Sequence, residues 1–211
     1  ENHPPTLPAG FKGRHLLGTD NTGRDVFVRI VDGYKISITF AIIVTVLSYI
    51  IGIAIGACLG YFAGKLDLFG VRLMEVFSAV PFLFTLMILA SFMQPNVLLL
   101  ATMSVLLQGW IGITYYVRGE FFREKAKDYV SAAVSMGASP SSIMFKHILP
   151  NIFHIIIVTF TLRFPAAIGT EVIMSYLGIG VQNQPSWGLM LESARMRLWQ
   201  GMWWEMTFVT I

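Results

Sequence analysis

The chain has 211 residues, 55% of them hydrophobic and 13% charged, with a net charge of +3 and one cysteine. A water-soluble domain carries about 25% charged residues; half that share, in a chain with unbroken apolar blocks and a mean hydropathy of +0.67, excludes an ordinary soluble domain and makes a bilayer the solvent. The small, scattered charge argues against a nucleic-acid partner, and the lone Cys58, inside an apolar run, reads as a buried small hydrophobe rather than half of a disulfide.

Residues 1–35 form no span and are expected as an external segment. In "TGRDVFVRIVDGYK", Phe27, Ile30, Val31 and Tyr34 recur at i, i+3, i+4 and i+7, while Asp25, Arg29 and Asp32 share another face. The spacing predicts an amphipathic helix, capped by Thr22 or Asp20, with Arg29 pairing Asp25 or Asp32. It either lies along the membrane surface and feeds the first span or belongs to a folded extramembrane region.

Residues 36–211 read as a transmembrane domain. The predicted spans are about 36–64, 76–93, 97–117 and 152–175, with another starting at Trp203. A helix rises about 1.5 Å per residue, so each long run crosses a hydrocarbon core of about 30 Å. Backbone groups in lipid must be satisfied internally, and the runs lack the alternation of barrel strands, so the fold expected is an all-α polytopic helical bundle. The turn Gln94-Pro95-Asn96 divides the second run into two crossings. The sequence opens on Glu1 and closes on "MWWEMTFVTI", which reads as an apolar segment just begun, so a longer chain is expected at both ends.

Lys and Arg divide evenly between the two sides: Lys12, Arg14, Arg24, Arg29, Lys35, Arg195 and Arg197 against Lys65, Arg72, Arg118, Arg123, Lys125, Lys127 and Lys146. Short loops weigh most in the positive-inside rule. The 65–75 loop has two cations and the Gln94-Pro95-Asn96 turn none, which favours 65–75 and the 118–151 loop as cytoplasmic.

Gly52, Gly56, Gly60 and Gly64 recur every four residues and line one helix face, where a second helix can approach closely, either in a pathway or subunit contact or in packing within the chain. Arg163 and Glu171 are charges inside the fourth span, on a similar side but too far apart to pair along a straight helix, with Pro165 between them. They mark a polar passage, an inter-helix ion pair or a structural contact near the membrane boundary. No catalytic, metal or cofactor residue is assigned. His147 and His154 lack a carboxylate cluster, no nucleophile motif occurs, and "AGKL" has Leu59 and Leu66 where a P-loop needs Gly and Ser or Thr.

One stretch differs from its surroundings: "KDYVSAAVSMGASPSSIMFKHILPN", Lys127 to Asn151. Tyr129, Ala132, Ala133 and Met136 form an apolar stripe. Gly137 ends that helix or allows close backbone approach, Ser139 caps a second helix with Pro140 at its first position, and that helix is expected to stop at Leu149, before Pro150. Two short helices at an angle, between spans, are either a local packing solution or a rigid protrusion suited to a groove on a soluble partner.

"SAAVSMGASPSSIMFKHILPN" resembles the coupling loop of binding-protein-dependent ABC importer permeases, with Ala132, Ala133, Gly137 and Pro150 at matching spacing and Ser131 where many members have Glu. "LLGTDNTGRDVFVRIVDGYKISI" and "SYLGIGVQNQPSWGLML" resemble segments of the oligopeptide/dipeptide permease family, and the likeness covers most of the chain in matching order. The resemblance implies the transmembrane fold of a type I ABC importer, as the second (C-type) permease subunit. It implies a heterodimer in the bacterial inner membrane with six spans per subunit. Two ATPase subunits carrying ATP and Mg²⁺ would lie beneath and a periplasmic peptide-binding protein above. ATPase coupling would fall to Asp128, Ser131, Ala132, Ala133, Gly137, Ser139, Pro140 and Pro150, with Asp128 standing in for the Glu absent at Ser131. Glu171 matches a position often acidic in the family. A carrier of another class, driven by an ion or proton gradient through Arg163 and Glu171, is the rival.

Overall fold

The computed structural model describes residues 15–20, 22–93, 96–180 and 185–210. Gln94 and Pro95 of the expected turn, and residues 1–14 of the external segment, lie outside them. Every extended element described is a helix; the one β-type contact is a bridge between Thr19 and Asp25. The chain divides into two compact units, one drawn from Glu1–Ile42, Met87–Ala101 and Ala167–Ile211, the other from Ile43–Leu86 and Thr102–Ala166.

Helix α1 runs without a break over Val26–Phe62. The amphipathic segment and the first span are therefore one helix, not two elements. Asp25 starts it: Oδ1 accepts the N–H groups of Phe27 (2.8 Å) and Val28 (3.3 Å). The expected caps, Thr22 and Asp20, do other work. Asp20 Oδ1 closes a tight loop by accepting from Thr22 N (2.8 Å), Thr22 Oγ1 (2.6 Å) and Arg24 N (2.9 Å), and its other oxygen pairs with Arg29. Arg29 thus bonds backwards into the loop rather than along its helix. Asp25 Oδ2 takes His15 Nδ1 at 2.8 Å, and Asp32 takes Lys35.

In the first unit Val26, Met202 and Trp204 form a small core joined by Leu17, Ile30 and Phe208. Helix α8 (Leu149–Tyr176) ends here at Gly178 (φ +78°), and the helices Trp187–Leu198 (α9) and Trp203–Thr210 (α10) follow. Arg197 makes a two-pronged ion pair with Glu205, 3.0 and 2.7 Å.

The second unit contains helices α2 (Gly64–Ala79), the start of α3 (Phe82–Ser91), the end of α4 (Val97–Ser104), α5 (Ile111–Lys125), α6 (Asp128–Ser135) and α7 (Pro140–Ser142). Its core is a cluster of twelve buried side chains, among them Tyr49, Ile113, Val117, Phe121, Val130, Ala133, Ile143 and Ile148. Two breaks were not expected. At Val80-Pro81 the chain turns by 69°. Proline has no N–H for the Phe77 carbonyl, and Gln108 Nε2 supplies donors instead, to Phe77 O (3.0 Å) and Val80 O (2.7 Å). At Trp110 a π-helical turn (Val105–Gly109) precedes a 45° bend. One expected break is missing. Pro140–Tyr176 is a single helix of 37 residues that passes through both Pro150 and Pro165. A π-helical turn over Ile143–Ile148 loosens the ladder just before Pro150, and Asn151 Nδ2 donates to the His147 carbonyl at 2.8 Å.

Among the described residues two helices, Val26–Phe62 and Pro140–Tyr176, are long and apolar enough to cross a membrane; four crossings result if each bent pair is one span. Cys58, expected to be buried, is exposed. It sits two residues past Gly56, on the side of α1 opposite the glycines, where a small apolar thiol can face lipid.

Candidate functional site

The 118–151 segment has one face packed into the second unit's core and one face exposed. Helix α6 follows α5 after a two-residue turn. Its base is held by a residue the sequence reading passed over. Glu124 is 3% exposed; Oε1 accepts from Lys127 Nζ (2.7 Å) and Oε2 from the Tyr129 hydroxyl (2.8 Å). The signal was the i, i+3 pair Glu124–Lys127 within a run otherwise read only as charged loop.

The expected apolar stripe is divided. Tyr129, Val130 and Ala133 face the core, while Ala132 and Met136 point outward, Met136 being 80% exposed. Gly137 takes φ +79°, a left-handed conformation costly for other L residues. Its N–H bonds Val134 O (2.9 Å) and that of Ala138 bonds Ala133 O (3.1 Å), which closes the helix with a Schellman turn. Nothing lies within 4 Å of where a Gly137 Cβ would be, so the glycine serves the turn and not a close approach. Two residues on, Ser139 Oγ accepts from Ser142 N (3.3 Å) with Pro140 at the first helical position. Asp128, Ser131, Ala132, Gly137, Ser139 and Pro140 are exposed together with Val134 and Met136; Ala133 is core, and Pro150 is exposed within the following helix.

The glycines on α1 meet α5. A Cβ on Gly52, Gly56 or Gly60 would fall 2.8, 2.8 and 2.7 Å from the carbonyls of Trp110, Thr114 and Arg118. Ile113, Val117 and Phe121, themselves four apart, fill the space opposite each glycine in turn. Gly64 does not share this interface. It has φ +62° next to Ala63 at +55°, a Cβ on it would meet nothing within 4 Å, and it marks the turn from α1 into α2. The end of α1 is tied down by Lys125 Nζ, which donates to the Tyr61 carbonyl at 2.5 Å, and α2 is tied to α5 by a two-pronged Asp67–Arg118 pair.

Arg163 and Glu171 have separate partners. Arg163 donates to the Gly109 carbonyl at 3.4 Å and borders a cavity of about 250 Å³ with Tyr49, Gly112, Tyr116 and Thr159. Glu171 is 3% exposed and accepts from the hydroxyls of Ser37 (2.5 Å) and Ser175 (2.6 Å). Its carboxylate therefore ties α1 to α8 within the first unit.

A family profile described as "Binding-protein-dependent transport system inner membrane component" matches residues 50–211. The chain is 36% identical over 211 residues to the dipeptide transport system permease protein DppC of Bacillus subtilis (strain 168), covering 99% of this chain and 63% of that one. It is 40% identical over 177 residues to the oligopeptide transport system permease protein OppC of the same organism, covering 83% and 58%. It is 38% identical over 193 residues to the inner membrane ABC transporter permease protein YejE of Escherichia coli (strain K12), covering 91% and 56%. The chain thus spans between 56% and 63% of the length of these relatives.

Proposed function

Because the chain belongs to the family of binding-protein-dependent transport system inner membrane components, we propose that it is a permease subunit of an ATP-driven importer of peptides, in the bacterial inner membrane. It catalyses no bond chemistry itself. Two ATPase subunits, with ATP and Mg²⁺, would grip the 118–151 protrusion from the cytoplasm. A second permease subunit would complete the passage, and a periplasmic peptide-binding protein would deliver cargo.

The observation that carries this reading is the protrusion's division into two faces. Val130, Ala133, Ile143 and Ile148 bury its inner side in the core, while Ala132, Val134 and Met136 leave an apolar tip bare. A rigid lever needs that combination: its root must move with the spans, and its tip must fit a partner's groove. Nucleotide can shift the permease between inward- and outward-open states only through contacts that differ between them, and the tip is where such contacts would form. Asp128 and Ser131 flank the tip, so Asp128 is the carboxylate available to a cationic partner.

A gradient-driven carrier relaying charge through Arg163 and Glu171 is not the favoured reading. Glu171 is engaged by two hydroxyls and Arg163 by a backbone carbonyl. Uptake by the full-length protein with its partner subunits in sealed vesicles separates the two: it is expected to follow ATP and to survive collapse of the proton gradient. Uptake that follows the gradient without ATP contradicts the proposal.

A further inference from the structure

We propose that the Arg163 cavity is a transit site for the C-terminal carboxylate of the peptide being moved, an inference that rests on the importer reading above. The position of the charge comes first. Within the apolar stretch 152–175 of α8, Arg163 stands 11 residues from one end and 12 from the other, about 17 Å from each at 1.5 Å per residue. A hydrocarbon core about 30 Å thick places that point beyond the reach of lipid headgroups. A guanidinium at such depth faces protein or water, never acyl chains, and yet Arg163 is exposed on this chain.

The surroundings are built for an anion. The cavity is lined by two phenols (Tyr49 and Tyr116), the Thr159 hydroxyl and the Arg163 guanidinium, with Ile113, Leu162 and Ala166 as apolar wall. Gly112 keeps the space open: a Cβ there would stand 3.4 Å from an Arg163 terminal nitrogen, and a longer side chain would cover it. The Gly109 carbonyl, at the end of the π-helical turn, orients the guanidinium with a single long bond of 3.4 Å. Guanidinium presents five N–H donors in a planar fork that matches a carboxylate with two parallel bonds. Every linear peptide with a free C-terminus carries that group whatever its side chains, so one fixed cation serves a carrier of varied cargo. The other occupant the charge admits is an acidic side chain of the partner permease subunit, and the experiment separates the two.

The complete complex, reconstituted in proteoliposomes with its binding protein, is given a mixture of short peptides, each as free acid and as C-terminal amide, and ATP-driven uptake of both forms is measured. A charge-assisted hydrogen-bond pair is worth about tenfold in selection. The unmodified complex is therefore expected to favour free acids by about that factor. Arg163→Gln removes the permease share of the preference, lowering free-acid uptake more than amide uptake; Arg163→Lys keeps part of it. Tyr116→Phe, which keeps the fold's apolar contacts, reduces the preference by a smaller factor. A preference unchanged in Arg163→Gln overturns the proposal, because the binding protein then supplies it alone. Equal loss of both forms, with the partner subunit dissociating, overturns it in favour of an ion pair between subunits. Absence of ATP-driven uptake of either form by the unmodified complex contradicts the importer reading itself, and the transit site with it.

Discussion

At the scale of single residues, Gly137 and Asp20 carry the sharpest expectations. Gly137 is solvent-exposed and a Cβ there would meet no neighbour, but its φ of +79° disfavours a β-branched residue. Gly137→Val costs about 1–2 kcal/mol in that turn, a factor of about 5–30 in its population. Membrane insertion should survive and transport should fall by a comparable factor, with Gly137→Asn, which tolerates the left-handed region, retaining most of it. Transport at the original rate in the valine variant would deny the turn a role. Asp20 lies in the loop before α1. Burial alone would raise its carboxyl, but the Thr22 hydroxyl, the Arg24 and Thr22 N–H groups and the Arg29 charge together hold it below the ordinary aspartate value. A carboxyl whose folded value is depressed contributes stability above its unfolded value, near 3.9, and loses it as pH falls through the folded value. Thermal melting in detergent should show an acid-side loss below about pH 4 that Asp20→Asn flattens. The protrusion's cap was legible from Ser139-Pro140 and its end from Gly137, since both are chain-local rules. Glu124 was not, because its partners make sense only once α6 folds back beside α5.

At the scale of elements, the glycine repeat on α1 was legible and its partner was not: the period of four announces a close helix contact, but which helix supplies Ile113, Val117 and Phe121 is a tertiary fact. Gly56→Val would push a branched side chain into the Thr114 carbonyl, 2.8 Å from the first added atom. It should destabilise the second unit by about 1–3 kcal/mol, read as a lower melting temperature in detergent, whereas Gly64→Ala, with no neighbour to meet, should cost only its backbone strain. Prolines misled in both directions. Pro81 turns the chain by 69° inside an apolar run, stabilised by Gln108 from a segment remote in sequence, while Pro150 sits inside a continuous helix because a π-helical turn accommodates it. Gln108→Ala removes a donor from the Phe77 and Val80 carbonyls, a cost of about 0.5–1.5 kcal/mol that the same melting measurement would register. The continuity of α1 from Val26 was missed for a similar reason. Its polar first turns resemble a separate surface helix, but Asp25 caps the whole and no residue between Val26 and Phe62 breaks the ladder.

At the scale of the whole molecule, the proposed importer subunit would receive force from a nucleotide-hydrolysing partner through its 118–151 segment. Composition made the bilayer legible and the order of motifs made the family legible; the assignment of faces on the 118–151 segment needed the structure, since Ala132 and Ala133 look alike in sequence and only Ala133 is buried. The most direct test places a reporter at the bare tip. In a Cys58→Ala background, Met136→Cys in the intact complex is expected to react with a membrane-impermeant thiol reagent only from the cytoplasmic side. It should also cross-link to an ATPase subunit, with a yield that changes when ATP is added. Labelling from the outer face, or a tip that cross-links to no ATPase subunit under any nucleotide condition, would contradict the account.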